Sequence, residues 1–321
     1  MRRVLILGGT GWLGHRIAAA AVAEGAEVAC LARGESGDVP VGARLIAADR
    51  REPSAYEGVG GEWDEVVEVS YSPDLVEPAL KALGPRTAHW TLVSTISVYA
   101  TADQPNADES AALVEPTDPS AYADAKVLAE RASTLHVGDR LLIARAGLIV
   151  GPGDPSDRFG YWPARLSRGG AVLAPNPAGR YVQVIDVDDL ATWIERAGRE
   201  GVVGPINAVG ESHTMSEYFK AAREVSDFEG ELVTLEDDAL LAEGVQYWAG
   251  PRSLPLWLPA DATGFAQRSN AAFRAAGGSL RPLAETVARS LADERERGVD
   301  RQRRAGLEAS EEAEILADVA R

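Results

Sequence analysis

The 321 residues are 45% hydrophobic and 25% charged, an ordinary globular balance with enough length to bury a large core. With 49 acidic against 32 basic residues the formal charge is -17, so the average surface repels phosphate backbones and anionic lipids and excludes nucleic acid and membranes as general partners. A single cysteine, Cys30, permits no intrachain disulfide; it reads as a buried, inert thiol in a reducing, cytoplasmic compartment.

Met1-Arg2-Arg3 and the apolar run behind it look superficially like a secretion signal, but Gly8 and Gly9 cut the run at once. Val4 to Leu7 therefore reads as a first strand, followed by a glycine-rich turn and an alanine-rich helix over Trp12 to Ala23. Gly25 ends that helix, and further strands are predicted at Glu27 to Ala32, Ala43 to Ala47, Glu65 to Val69, Trp90 to Ser94 and Leu141 to Ala144. Helices are predicted between them at Leu75 to Leu83 and Tyr122 to Ser133. Alternating strands and helices predict an α/β fold, a Rossmann-type doubly wound parallel sheet.

Past Gly151 the texture becomes loop-like, with Gly151-Pro152-Gly153-Asp154-Pro155 and Ala174-Pro175-Asn176-Pro177 bracketing a segment that holds Tyr161 and Trp162. Strand character returns at Tyr181 to Val187, and a helix starts near Asp188. The chain is mixed from Gly210 onward, with a proline-punctuated loop around Trp248 and Trp257. Residues 283 to 321 read as charged helix, with Ser310 as an N-cap. The organisation predicted is a dinucleotide-binding core at 1–155 and 181–208 and a smaller substrate-binding lobe at 156–180 and 209–321.

Gly8, Gly11 and Gly14 stand between a strand and a helix, where glycine permits a tight turn and close approach of a pyrophosphate to free helix N–H groups. Thr10, Trp12 and Leu13 complete that turn. An acid at the end of the second strand would bind the adenosine ribose, but the strand ends Ala32-Arg33, a cation suited to a 2′-phosphate. NADP(H) is favoured on this ground and NAD(H) remains open, with Glu35 as the alternative acidic contact. Asp49, after the third strand, is a candidate adenine contact.

Tyr122 and Lys126 lie four apart, one turn along a single helical face, and an adjacent ammonium would lower the pKa of a phenol otherwise near ~10. Upstream, Ser94-Thr95-Ile96-Ser97 ends an apolar strand, and a hydroxyl there could orient a carbonyl while Tyr122 moves the proton. Arg158, Tyr161 and Trp162, with Ser97, are candidate substrate contacts. His213 has no Cys or second His at ligand spacing, so no metal site is expected.

In chain order, the Gly8/Gly11/Gly14 turn, Thr95-Ile96-Ser97-Val98-Tyr99, Tyr122-x-x-x-Lys126, Arg145 to Asp154 and Val184 to Ala191 resemble the extended short-chain dehydrogenase/reductase family, also called the NAD-dependent epimerase/dehydratase family. The resemblance implies a bound nicotinamide cofactor, Thr95, Tyr122 and Lys126 as the catalytic set, and Lys126 also on the nicotinamide ribose. Three departures qualify it. Ile96-Ser97 replaces the Asp-Glu pair of the family's dehydratases, Val182 stands where nucleotide-sugar epimerases grip the diphosphate with an arginine, and Glu68-Val69-Ser70-Tyr71 replaces the small residues that usually wall the cofactor. The missing diphosphate-gripping arginine, the missing acidic ribose ligand and the presence of Arg33 favour an NADP(H)-dependent carbonyl reductase or alcohol dehydrogenase acting on a small molecule. An NAD(P)-dependent epimerase of a sugar-like substrate is the first alternative, and a non-catalytic cofactor sensor is the second. Oligomeric state is left open, a homodimer included.

Overall fold

A computed structural model describes residues 1–319. The first half builds β1 (Arg3–Leu7), α1 (Trp12–Ala23), β2 (Glu27–Ala32), β3 (Ala43–Ala47), β4 (Trp63–Glu68), α2 (Pro73–Leu83), β5 (Thr87–Thr95), α3 (Tyr122–Val137), β6 (Leu141–Ala146) and β7 (Leu148–Val150). The second half adds α4 (Tyr161–Leu166), β8 (Val172–Pro175), β9 (Tyr181–Asp186), α5 (Val187–Glu200), β10 (Gly204–Ala208), β11 (Ser212–Thr214), α6 (Met215–Val225), β12 (Leu232–Leu235), α7 (Asp237–Ala242), β13 (Gln246–Trp248), β14 (Ser253–Pro255), α8 (Ala271–Ala275), α9 (Leu283–Arg297) and α10 (Ala309–Val319).

Seven strands form one parallel sheet in the order β10-β6-β5-β4-β1-β2-β3. Alternation along β1 shows why its sequence is apolar throughout: Val4 and Ile6 join the core under α1 and α5, and Leu5 and Leu7 join the core under α2 and α3. Cys30 belongs to the first of these cores, and burial pushes its thiol up to about 12, which leaves it unreactive. The chain runs outward from β1 through β2 to β3, then returns to place β4 on the other side of β1. A crevice opens at the carboxyl ends of β1 and β4, the place where doubly wound sheets bind ligands.

The lobe has its own core. Phe159, Trp162, Val172, Tyr218, Trp257 and Val287 are among its buried members, drawn from α4 and the turn before it, from β8, α6 and α9, and from the loop after β14. Parallel pairing of β8 with β12 gives this half strands where the sequence reads as loop or mixed texture, and β9, the strand expected from Tyr181, pairs with β7. α6 starts at a capping box in which the Thr214 hydroxyl and the Glu217 carboxylate exchange bonds with each other's backbone N–H groups. Arg281 and Arg289, flanking and within α9, grip Asp186, Asp188 and Asp189 at the start of α5, which bolts the lobe to the sheet.

Among the boundaries that differ from expectation, three bear on the crevice and the charged tail. β4 is Trp63–Glu68, because Val69 leaves the ladder to begin the wall of the crevice. α9 ends at Arg297, where Gly298 has φ +97, so the charged tail is two helices separated by a loop. The second, α10, starts at Ala309, which places Ser310 inside its first turn instead of at its cap. Residues 320 and 321, expected to be helical, lie outside the described residues. None of the described helices is long and apolar enough to cross a membrane.

Candidate active site

β1 ends at Leu7, and Gly8 turns the chain at φ +97, a conformation that side chains disfavour. Its N–H donates to the Leu31 carbonyl at 3.0 Å, and its carbonyl accepts from the Gly11 N–H at 3.1 Å. A Cβ on Gly14 would strike that Gly8 carbonyl, so the helix can press onto the turn only with glycine there. Gly11 precedes α1 in extended conformation, no side chain caps the helix and no acid sits in its first turn. The first N–H groups and the positive end of the dipole are thus left to an anion.

Beside this turn lies a cleft of about 240 Å³ lined by Thr10, Gly11, Ala32, Arg33, Asp49 and Ser70, among others. Arg33 is half exposed and 3.2 Å from Glu35, which brings both sequence candidates for the ribose end together at one spot. The Asp49 carboxylate accepts the Arg51 N–H at 3.0 Å. Beneath them Arg50 and Glu68 form a buried ion pair, and Arg50 also donates to the Ser70 hydroxyl at 3.1 Å and the Leu75 carbonyl at 2.8 Å. Arg50 is therefore consumed as wall structure, and Arg33 and Arg51 are the other cations that line the cleft. Leu13 packs into the core under the turn, so its contribution to any ligand is through its backbone. A cradle a Cβ would fill, an acid-free helix start and an edge cation fit a dinucleotide.

The candidate proton-handling groups are positioned by α3. Tyr122, Lys126 and Glu130 recur every four residues along one face, and Glu130 anchors that face. Its carboxylate accepts from Arg145 of β6 at 2.8 and 3.1 Å and from the Ser94 hydroxyl of β5 at 2.6 Å, and Ser94 and Arg145 are ladder partners. Asp124 fixes the approach to the helix by accepting the Thr117 and Asp118 N–H groups at 2.6 and 2.9 Å. Tyr122 is thereby held at the carboxyl end of β5, beside Thr95, whose hydroxyl accepts the Ser97 N–H at 3.2 Å and lies 3.3 Å from the Ser97 hydroxyl.

The electrostatics depart from the expected tyrosine–lysine coupling. Burial pushes the Tyr122 phenol above its ordinary range; the Thr95 hydroxyl and then Arg158 oppose this, and Tyr71 reinforces it. Lys126 instead points inward. Its Nζ donates to the Val93 carbonyl at 2.6 Å, 5.9 Å from the Tyr122 ring centre and 5.2 Å from that of Tyr71, and burial pulls its pKa down to about 8. Tyr71, one of the residues replacing the usual small wall, meets Tyr122 edge to face at 5.1 Å.

A second cavity, about 380 Å³, opens on this group, lined by Trp12, Thr95, Ser97, Tyr122, Arg158 and Trp248 among others. Trp12 is steered there by its indole N–H, which donates to the Pro152 carbonyl at 2.8 Å. Ser97 and Arg158 reach the cavity as the sequence suggested. Tyr161 and Trp162 do not: both are buried in the lobe core, Trp162 donating to the Pro255 carbonyl at 2.7 Å, and they are corrected from substrate contacts to packing residues. Trp248 and Phe265 line the cavity unforeseen, being separated by about a hundred residues of sequence from the rest of the site.

The architecture is a Rossmann-type α/β fold, a parallel sheet flanked by helices with a crevice at the carboxyl ends of its strands. No protein-family model and no curated protein matches the chain. Among solved structures, it resembles a candidate epimerase from Burkholderia cenocepacia J2315 at TM-score 0.71 and 20% identity, over 92% of this chain and 98% of that one. It also resembles the Thermotoga maritima UDP-glucose 4-epimerase solved with UDP-glucose, at TM-score 0.66 and 16% identity over 92% and 99%. The UDP-glucose 4-epimerase of Thermus thermophilus, solved with NAD, follows at TM-score 0.64 and 20% identity over 91% and 99%.

Proposed function

We propose that this protein is a nicotinamide-dinucleotide-dependent enzyme that works on a carbinol or carbonyl carbon of a small molecule, with Thr95, Tyr122 and Lys126 as its catalytic set. The observation that carries the reading is the half-exposed Tyr122 beside Thr95, opening on a cavity that adjoins the glycine cradle. When bound, the cofactor would supply hydride exchange. Gly8, Thr10, Gly11, Trp12 and Gly14 would hold its pyrophosphate half, with Leu13 supporting the turn, and Arg33 and Asp49 would meet its adenosine half. Thr95 orients the substrate oxygen, Tyr122 takes or gives the proton at that oxygen, and Lys126 binds the nicotinamide ribose. Residues 156–180 and 209–319 close the cavity and act as the substrate lobe, Ser97 and Arg158 facing the substrate.

Epimerisation is the outcome that the solved relatives favour, since two of them are UDP-glucose 4-epimerases and one of these was solved with NAD. A net oxidoreductase is the second reading, supported by the missing diphosphate grip. Val182 is buried in β9, and the nearby Arg180 is committed to Asp237 and the Leu258 carbonyl. Turnover of a sugar or carbonyl probe with no change in reduced-nicotinamide absorbance, and cofactor retained through gel filtration, is the expected epimerase result. Stoichiometric loss of that absorbance assigns the oxidoreductase.

Cofactor choice rests on Arg33. Calorimetric titration is expected to show NADPH bound more tightly than NADH by about 1 to 3 kcal/mol, with Arg33→Ala narrowing the gap mainly by weakening NADPH. Equal affinities, or NADH the tighter, would assign NAD and make Arg33 a surface partner of Glu35.

A further inference from the structure

Arg158 differs from most of the partly buried arginines, although Arg140 and Arg268 also hold no carboxylate and bond carbonyls instead. Arg2, Arg50, Arg145, Arg165 and Arg180 each hold a carboxylate within ion-pair distance, in a chain with acids to spare. Arg158 forms no ion pair and no guanidinium hydrogen bond among the described residues. Asp154, the carboxylate that acts on it, is occupied by the Ser156 N–H at 2.7 Å and the Ser156 hydroxyl at 3.0 Å.

The position of Arg158 is built. The preceding residue, Asp157, sits at φ +59 and is tied down by Arg297, Arg301 and the Arg304 N–H. The guanidinium lies over the Trp248 indole, 5.0 Å from its centre, and Trp248 in turn meets Phe265 edge to face at 5.5 Å. Arg158, its guanidinium over the indole and its N–H donors without a protein partner among the described residues, lines the cavity that also holds Thr95 and Tyr122. A planar fork of donors without a partner, fixed beside the reacting hydroxyls, matches two oxygens of one anion.

We infer that the substrate carries an anionic oxygen group, a carboxylate or a phosphate, that Arg158 holds against Trp248 while the carbinol or carbonyl carbon sits at Tyr122. The inference rests on the proposed function for its placing of the reacting carbon, but binding tests it without turnover. The probes are 4-formylbenzoate, 4-formylphenyl phosphate and methyl 4-formylbenzoate, titrated by calorimetry into the full chain saturated with oxidised NAD or NADP. At least one anion is expected to bind roughly 10-fold or more tighter than the neutral ester, and which anion wins distinguishes carboxylate from phosphate. Arg158→Gln is expected to remove that preference with cofactor affinity unchanged, and Arg158→Lys to restore part of it. Equal binding of acid and ester, no binding of either anion, or a preference that survives Arg158→Gln overturns the proposal. An anion preference that persists in a Tyr122→Phe protein with undiminished turnover would leave this site standing while removing the proposed chemistry.

Discussion

Tyr122→Phe is expected to lower turnover of a competent alcohol or carbonyl probe by ~10²-fold or more while leaving cofactor affinity within about twofold, the signature of a lost acid/base group. The hydroxyl removed is the one that projects into the cavity beside Thr95, whereas the ring that remains keeps its edge-to-face contact with Tyr71. A pH profile separates this from damage to the fold. Because burial holds the phenol protonated above its ordinary range, against the opposing pull of Thr95 and Arg158, the wild-type rate of alcohol oxidation should climb with pH through the neutral range. The phenylalanine protein should give a low, flat profile. Near-native turnover by that protein would remove Tyr122 from the chemistry.

Lys126→Met is expected to stabilise the protein at pH 7, by up to about 3 kcal/mol, and to weaken cofactor binding. The native ammonium is buried with one carbonyl for company, and it titrates near 8, against an ordinary lysine near ~10.4 when unfolded. Below pH 8 both states are protonated and the native state bears the full burial cost. From about pH 8 to 10.5 the folded protein has released the proton and the unfolded chain still holds it, so wild-type stability rises with pH and the advantage of methionine fades. Its neighbours Glu68 and Glu130 keep their own arginines, so no carboxylate is orphaned by the change. Urea unfolding at about pH 7, 8.5 and 10 measures this directly. A methionine protein less stable at pH 7, with a gap that does not shrink on raising the pH, would show that the lysine is there to hold the fold. The expected result instead fits a residue retained for a ligand at some cost to stability.

The Rossmann half was legible because its strands are bounded by turn residues and its helices are local. β2, β3 and α1 fall where the apolar runs and Gly25 put them. Tyr122, Lys126 and Thr95 were legible by spacing, yet their coupling was not: whether Lys126 reaches the phenol or the Val93 carbonyl depends on a rotamer that Glu68, Glu130 and the β5 backbone decide together. The stretch that holds β8 was read as loop because β8 finds its partner β12 about sixty residues away, and a four-residue apolar run carries no sign of so distant a ladder. Tyr161 and Trp162 illustrate the same limit. Two adjacent aromatics fit a pocket or a core equally well in sequence, and only the packing of α4 against α6 and α9 puts them inside. Arg158 could be named as a cation near the site, but its lack of a carboxylate and its seat on Trp248 exist only in three dimensions.

The two cavities draw on very different lengths of chain. Every residue lining the cleft beside the glycine turn lies between Gly8 and Leu75, whereas the cavity at Tyr122 takes its walls from Trp12 through to Phe265. On a ribosome the whole first wall set has been synthesised once Leu75 is added, whereas the second is incomplete until Phe265. A nascent chain therefore carries every residue that walls the cleft beside the glycine turn long before it can enclose the cavity at Tyr122.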